Sequence, residues 1–234
     1  MPFKPGRRSV VSRLLAFQQS ETKFFYILAA LFLLIIGNPI LPNQGWGAYT
    51  VKLLLNFVIL SGIVAANHEQ QIIRQMMALG VLTLLLDWLS LLGPQWPPLA
   101  LIAFALYCLF VALVTISIII QIAQSQQVTG NVLCGAIAGY LLIGLTGTFL
   151  ALLLELAHPG AFVTGGVVID RADLFNALMY YSLVTLSTIG YGDITPAVPA
   201  ARSLSLLLGL SGQIYLTVLI ALLVGKYLND TRQK

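Results

Sequence analysis

The residues whose types and spacing could do chemistry lie in one short segment, residues 185–193, with the sequence TLSTIGYGD. Gly190 and Gly192 alternate with larger residues there, and glycine adopts backbone dihedrals that strain other residue types. Thr188 places a hydroxyl oxygen beside the backbone carbonyls. The chemistry available is therefore ligation by neutral oxygen atoms. The sequence contains no nucleophile–base set and no phosphate-binding loop, so we expect no catalytic residues and no enzyme activity.

This segment resembles the selectivity-filter signature of potassium channels, Thr-x-x-Thr-x-Gly-Tyr-Gly-Asp. Ile189 takes the usual β-branched position of that signature. Every fixed position of the signature is filled, by Thr185, Thr188, Gly190, Tyr191, Gly192 and Asp193. A bare Gly-Tyr-Gly would be weak support, but the full signature between two long apolar segments is strong support for a channel pore.

The resemblance implies a role for each of these residues. A K⁺ ion that enters a narrow pore loses its water, and rings of backbone carbonyls replace the water oxygens. The permeant K⁺ would be held by the carbonyls of Thr188, Ile189, Gly190 and Tyr191, with the Thr188 hydroxyl as a further ligand. Support of the filter is assigned to Thr185, Tyr180, Gly192 and Asp193. One chain supplies one such loop and a closed ring needs four, so the resemblance implies a homotetramer with three further copies of the chain.

The composition excludes an ordinary soluble domain. Hydrophobic residues make up 59% of the 234 residues and charged residues 9%, and the mean hydropathy is +0.93. These values are typical of an integral membrane protein surrounded by lipid. The net charge is +4, but the basic residues cluster toward the two ends, so we expect no nucleic-acid partner. Cys108 and Cys134 lie within apolar runs and predict neither a disulfide nor a metal site.

Six apolar segments approach or exceed the roughly 17–25 residues that cross a bilayer as a helix. They are 24–41, 49–66, 75–92, 98–122, 132–156 and 203–228. The connectors between them are short and rich in turn residues. The predicted fold is therefore an all-α membrane protein with six transmembrane helices. By the resemblance, a re-entrant pore helix and a filter loop lie between the fifth and sixth helices of a tetrameric subunit.

These segments predict five parts of the chain. A cytoplasmic N-terminal segment (1–23) precedes a four-helix, sensor-like transmembrane domain (24–123). A linker (124–130) leads to the pore domain (131–228), which comprises the outer helix, pore helix, filter and inner helix. A cytoplasmic tail (229–234) follows. Because this tail is short, we expect no soluble ligand-binding domain on this chain.

The distribution of Lys and Arg predicts the orientation in the membrane. With a cytoplasmic N-terminus, six crossings return the C-terminus to the cytoplasm. The cytoplasmic side then carries Lys4, Arg7, Arg8, Arg13, Lys23, Arg74, Lys226, Arg232 and Lys234, and the outer side carries Lys52, Arg171 and Arg202. This agrees with the positive-inside rule and places the filter loop outside, where a potassium-channel filter enters. The inner-helix sequence is similar to that of bacterial channels, which implies a bacterial inner membrane.

The apolar stretch 172–186 is too short to span a membrane and ends directly at the filter, which favours a re-entrant helix. Asp170 and Asp173 lie at its start, where acidic residues cap free N–H groups and suit the helix dipole. Counting back from the filter, Tyr180 is expected to hydrogen-bond Asp193 behind the filter.

Gly212 in the last apolar segment matches the hinge glycine of the inner helix in the family, at the same distance from the filter. Glycine weakens a helix, so Gly212, helped by Gly209, is expected to let this helix bend open. Close packing against the fifth segment explains the same glycine, and both interpretations can hold together.

Six spans with a filter between the last two resemble the voltage-gated plan, but residues 98–122 contain no Arg or Lys. Each gating charge contributes about 2.3 kcal/mol per 100 mV, so we predict little intrinsic voltage dependence. Asp87 lies inside the third segment without the arginine partners that such an acid pairs with in voltage sensors. Near the end of the fifth segment, Glu155 and His158 are spaced to pair on one helix face.

The sequence therefore predicts a homotetrameric K⁺-selective channel that works by passive permeation. One alternative is a weakly selective cation channel, which Thr188 disfavours. Another is a non-conducting membrane subunit that modifies a partner channel, which the intact filter signature disfavours. A secondary transporter is remote, because no repeated half with matching broken helices is present.

Overall fold

The computed structural model describes residues 22–40, 46–66, 70–92, 97–125 and 127–232. The first five helices are α1 (Lys23–Ile40), α2 (Trp46–Ala65), α3 (Gln70–Leu92), α4 (Pro97–Gln124) and α5 (Gly130–Ala157). Most of the predicted N-terminal segment and the last two residues of the predicted tail lie outside the described residues.

After α5 the chain forms β1 (Phe162–Thr164), β2 (Val167–Val168), α6 (Leu174–Leu186), β3 (Ile194–Pro196) and α7 (Pro199–Arg232). The three strands form one antiparallel sheet in the order β2-β1-β3. This sheet is a feature that the predicted all-α fold lacks. The chain is nevertheless mostly helical, and α6 is the predicted short helix that ends at the filter segment.

Four helices of the described chain are long and apolar enough to cross a membrane, by length and composition. They contain the spans Gln71–Leu89, Leu101–Gln124, Gly130–Ala157 and Pro199–Lys226. The apolar parts of α1, α2 and α6 are shorter, at Lys23–Asn38, Tyr49–Ala65 and Leu174–Leu186. The protein is therefore an integral membrane protein, and the count of six spans stays a prediction.

Helix α5 lies at the centre of the fold because its glycines admit side chains from three other helices. A Cβ atom on any of four α5 glycines would lie within 3.0 Å of another side chain. The pairs are Gly135 with Phe24, Gly139 with Tyr215, Gly144 with Leu183, and Gly147 with Leu208. Small residues let membrane helices approach closely, so this spacing positions α1, α6 and α7 around α5.

Polar contacts join four helices, α1, α4, α5 and α7, at one end of the fold. Lys23 Nζ at the start of α1 donates to Gln121 Oε1 of α4 at 2.6 Å. The backbone N–H of Phe24 donates to the side-chain oxygen of Asn131 in α5 at 3.0 Å. Lys226 Nζ of α7 donates to the carbonyls of Ile122 and Ala123. These bonds place the start of α1, the end of α4, the start of α5 and the end of α7 together.

Candidate functional site

The predicted filter segment, residues 188–193, begins just after α6 ends. The C-terminal end of this helix holds the start of the segment. The backbone carbonyl of Val184 accepts from the N–H groups of Ile189 at 3.1 Å and Gly190 at 3.4 Å. The Ser187 hydroxyl donates back to the carbonyl of Leu183 at 2.8 Å. These bonds satisfy carbonyls that a helix C-terminus leaves unpaired and turn the chain sharply out of α6.

The backbone of the filter segment alternates in handedness. The φ angle is +60° at Thr188, +56° at Gly190 and +79° at Gly192, whereas Ile189 and Tyr191 have no positive φ. Among the non-glycine residues that the structure describes, only Thr188 has a positive φ, and such a value is uncommon for a β-branched residue. Alternation of this kind is the geometry that successive carbonyls need in order to face one side. It explains why glycine occupies every second position after Thr188.

The inner end of the segment contacts α7 through a residue that the sequence analysis missed. Gln213 Nε2 donates to the Thr188 hydroxyl oxygen at 3.3 Å, and both residues are exposed in the single chain. The sequence feature that could have indicated Gln213 is its amide side chain inside an apolar helix, because polar groups in membrane segments usually have partners and functions.

The outer end of the segment is held by the small sheet. Strand β3 follows Asp193 directly and pairs with β1, with Thr164 opposite Ile194 and Val163 opposite Thr195. The N–H of Ala197 donates to the carbonyl of Ala161 at 2.8 Å and extends the pairing. The filter therefore runs between two fixed ends, the C-terminus of α6 and the strand β3.

Behind the filter, two tyrosines of neighbouring elements stack. The rings of Tyr180 in α6 and Tyr191 in the filter are nearly parallel, with centroids 6.4 Å apart. The Tyr180 side chain also lies close to Asp193, and the hydrogen bond expected between them from the sequence spacing stays a prediction. A second contact joins α6 to α7, where the hydroxyls of Tyr181 and Ser205 share a hydrogen bond.

Glu155 fixes the turn that leads from α5 into the sheet. Its two carboxylate oxygens accept from the backbone N–H of Gly160 at 2.6 Å and of Phe162 at 2.9 Å, and the residue is buried. The predicted pairing of Glu155 with His158 is therefore wrong. Because the turn residues follow α5 immediately, a buried carboxylate can satisfy two backbone donors that would otherwise lack partners.

Gly212 of α7 packs against the C-terminus of α6. A Cβ atom at this position would overlap the carbonyl oxygen of Leu186, and that oxygen also accepts from the Tyr140 hydroxyl at 3.2 Å. At Gly209, in contrast, the nearest atom to a Cβ would be the carbonyl oxygen of Thr185 at 3.8 Å. The nearest atoms to a Cβ at Gly212 thus belong to α6, and the expected packing against the fifth apolar segment stays a prediction.

Asp87 has a cationic partner that the sequence analysis did not identify. Its carboxylate pairs with Lys52 Nζ of α2 at 2.9 Å and accepts from the Tyr107 hydroxyl of α4 at 3.3 Å. The partner is a lysine and not one of the arginines that such an acid pairs with in voltage sensors. Because this lysine lies on a neighbouring helix, the sequence around Asp87 does not reveal it.

The acidic residues before α6 occupy the expected positions. Asp170 Oδ1 accepts from the N–H of Ala172 at 3.3 Å. Asp173 is the N-cap residue of α6, but its side chain makes no capping hydrogen bond. No group of three or more His, Cys, Asp or Glu residues that could hold a metal ion occurs in the part of the chain that the structure describes.

Comparison with known proteins gives a family match for the region that contains this site. Residues 142–229 match a family model described as ion channel. The chain is 40% identical over 74 residues to two pore potassium channel c of Oryza sativa subsp. japonica, which covers 31% of this chain and 15% of that protein. It is 37% identical over 59 residues to two-pore potassium channel 4 of Arabidopsis thaliana, covering 25% of this chain and 21% of that protein. No solved structure matches the chain.

Proposed function

We propose that the protein is a K⁺-selective channel, since residues 142–229 match a family model described as ion channel and parts of the chain are similar to the two potassium channels named above. The observation that carries the proposal is the alternation of positive φ at Thr188, Gly190 and Gly192 in a loop fixed at both ends. The match to an ion channel family model also supports the prediction that the chain is not an enzyme. Permeation is passive and follows the K⁺ gradient.

The proposed K⁺ ligands are the carbonyl oxygens of the filter, with one hydroxyl. They are the carbonyls of Thr188, Ile189, Gly190 and Tyr191 and the Oγ1 of Thr188. Thr185, Tyr180, Gly192 and Asp193 support the loop, a role favoured by the closeness of Tyr180 to Asp193 and by the stacking of Tyr180 on Tyr191. Rings of such oxygens replace the hydration shell of the ion.

A homotetramer completes the proposed pore, because each chain supplies a single loop. Exposed apolar surface on α7 supports this assembly. Several large side chains of this helix are more than half exposed in the single chain: Leu206, Leu207, Leu210, Ile214, Val218 and Ile220. Ile189 and Tyr191 of the filter segment are 56% and 70% exposed. In the proposed assembly, neighbouring subunits and lipid cover these surfaces.

The proposed channel has little intrinsic voltage dependence and places both termini in the cytoplasm. Helix α4 carries no Lys or Arg along its length, and gating charge in the field requires such residues. Lys23 and Lys226 both bond to the end of α4, so these two cations lie at the same end of the fold. The positive-inside rule assigns that end to the cytoplasm.

Gly212 and Gly209 form the proposed hinge of the inner helix. Helix α7 is continuous across both glycines. Gly212 lies against the Leu186 carbonyl. Bending at this point would therefore move the part of α7 that follows Gly212 away from the C-terminus of α6. The proposed hinge is therefore next to the inner end of the proposed filter.

The test is ion flux through the purified protein in liposomes. We expect uptake driven by a K⁺ gradient, inhibited by Ba²⁺, and no comparable uptake with a Na⁺ gradient. Equal fluxes of K⁺ and Na⁺ would establish the weakly selective alternative. Absence of flux for a folded tetramer, including a variant at Gly212 chosen to favour a bent inner helix, would support a non-conducting subunit.

A further inference from the structure

The amide of Gln213 is the point at which α7 bonds to the filter segment. Its Nε2 donates to the Thr188 hydroxyl oxygen at 3.3 Å. Gln213 follows Gly212, whose backbone is packed against the carbonyl of Leu186. Gln213 therefore lies on α7 at the level of Thr188, the first residue of the filter segment.

The neighbouring polar side chains of α7 behave differently. The Ser211 hydroxyl donates to the Leu207 carbonyl at 2.6 Å, and the Thr217 hydroxyl donates to the Gln213 carbonyl at 2.8 Å. Both bonds stay within the helix, which is the usual way for a hydroxyl in a membrane helix to satisfy itself. Gln213 instead reaches 25 residues back along the chain to the filter.

The chemistry of the threonine hydroxyl gives this contact a consequence. A hydroxyl has one donor proton and two acceptor lone pairs. The Gln213 amide occupies one lone pair of Thr188 Oγ1, so the second remains for a cation. Thr188 also has φ +60°, an unfavourable value for its residue type, and a hydrogen bond from a separate helix fixes the direction of its side chain.

We propose that Gln213 is a positioning residue for the innermost cation site of the filter and acts through the Thr188 hydroxyl. This inference rests on the proposed function as a K⁺ channel. A ligand oxygen held in one orientation binds a dehydrated cation more tightly than an oxygen that must be ordered on binding. Gln213 therefore raises the affinity of the inner site for cations and leaves the carbonyl sites above it unchanged.

The experiment measures Ba²⁺ inhibition of K⁺ flux in liposomes. Ba²⁺ serves as the probe because it is a divalent cation that binds oxygen ligands. The variants are Gln213→Met, which keeps the length of the side chain but removes the donor, Thr188→Val, which removes the hydroxyl, and the double variant. Ser211→Ala is the matched control, since it removes a polar α7 group that bonds only within its own helix.

We expect Gln213→Met to raise the Ba²⁺ concentration for half inhibition about threefold or more, consistent with loss of one neutral hydrogen bond. In the Thr188→Val background the same substitution should have no effect, and Ser211→Ala should behave as wild type. If Thr188→Val abolishes flux, Ba²⁺ protection of the tetramer against thermal dissociation gives the same comparison.

Two results would overturn the proposal. One is an unchanged or lower Ba²⁺ concentration for half inhibition in Gln213→Met. The other is an equal shift in both backgrounds, because double-mutant cycles give independent effects for residues that do not interact. Failure of the proposed function is separate, since it would appear as wild-type protein without K⁺-selective, Ba²⁺-sensitive flux.

Discussion

The backbone of Gly212 lies directly against the carbonyl of Leu186, so α7 contacts the end of α6 without an intervening side chain. The same carbonyl accepts a hydrogen bond from Tyr140 of α5. The last residue of α6 is thus held between the two long helices of the pore part. The position of the filter segment, which starts two residues later, depends on this contact.

Replacing Gly212 by Ala is expected to displace α7 from α6. The added methyl group meets backbone atoms, which cannot rotate away, and overpacking of this kind costs about 1–3 kcal/mol. Gly209→Ala is the matched control, because its methyl group has an ordinary contact at 3.8 Å from the Thr185 carbonyl oxygen. Thermal unfolding in detergent should give a lower Tm for Gly212→Ala and an unchanged or higher Tm for Gly209→Ala. Equal Tm values for the two variants would contradict the contact.

Glu155→Gln should destabilise the turn between α5 and β1. An amide group provides one acceptor oxygen where the carboxylate provides two, so one of the buried N–H groups of Gly160 and Phe162 loses its partner. An unsatisfied buried donor costs about 1–3 kcal/mol. His158→Ala is the control, because the capping bond at this position comes from the His158 backbone N–H. If His158→Ala lowers the Tm as much as Glu155→Gln, an interaction between the two side chains would be indicated instead.

The Lys52–Asp87 pair should behave as a coupled unit in a double-mutant cycle. Lys52→Met removes the ammonium group that pairs with the buried Asp87 carboxylate, and loss of one member of a buried pair costs about 3–5 kcal/mol. Adding Asp87→Asn removes the uncompensated charge, so the double variant should be more stable than Lys52→Met alone. Arg74→Met, at an exposed position of the same helix, is the control and should change stability little. Additive losses of unfolding free energy in the two single variants would contradict the pairing.

Conductance in symmetric K⁺ without blocker should vary only weakly with membrane voltage. The reason is that α4 contains no Lys or Arg, while each charge that crosses the field contributes about 2.3 kcal/mol per 100 mV. Planar bilayer recordings over positive and negative voltages measure this directly. A steep sigmoidal conductance–voltage curve would require gating charge elsewhere in the protein.

The order of the helices and the short helix before the filter could be predicted from the sequence. The reason is that long apolar runs set the helix lengths. The Tyr180–Asp193 contact was also expected, because the short distance along the chain between α6 and the filter restricts their arrangement.

Contacts between distant parts of the chain could not be predicted in this way. The strands β1 and β3 are only three residues each, too short for an alternating pattern to be distinguished from a loop. Asp87 pairs with Lys52, and Thr188 bonds to Gln213. In each case the partner lies on another helix, and helix rotation decides which side chains meet. For Glu155, the i,i+3 spacing favoured a side-chain pair, whereas nearby backbone donors were the stronger competitors.

The most direct test of the filter is the reversal potential of purified protein in planar bilayers with K⁺ on one side and Na⁺ on the other. Gly165→Ala and Gly190→Ala form a matched pair, because both glycines have φ +56° and open space around a Cβ in the single chain. Both substitutions carry the same backbone strain, but only Gly190 lies in the filter. We predict a reversal potential close to that of a K⁺-selective membrane for wild type and Gly165→Ala, and loss of K⁺ selectivity or current for Gly190→Ala. A wild-type reversal potential near zero, or equal behaviour of the two variants, would contradict the assignment of residues 188–191 as a K⁺ filter.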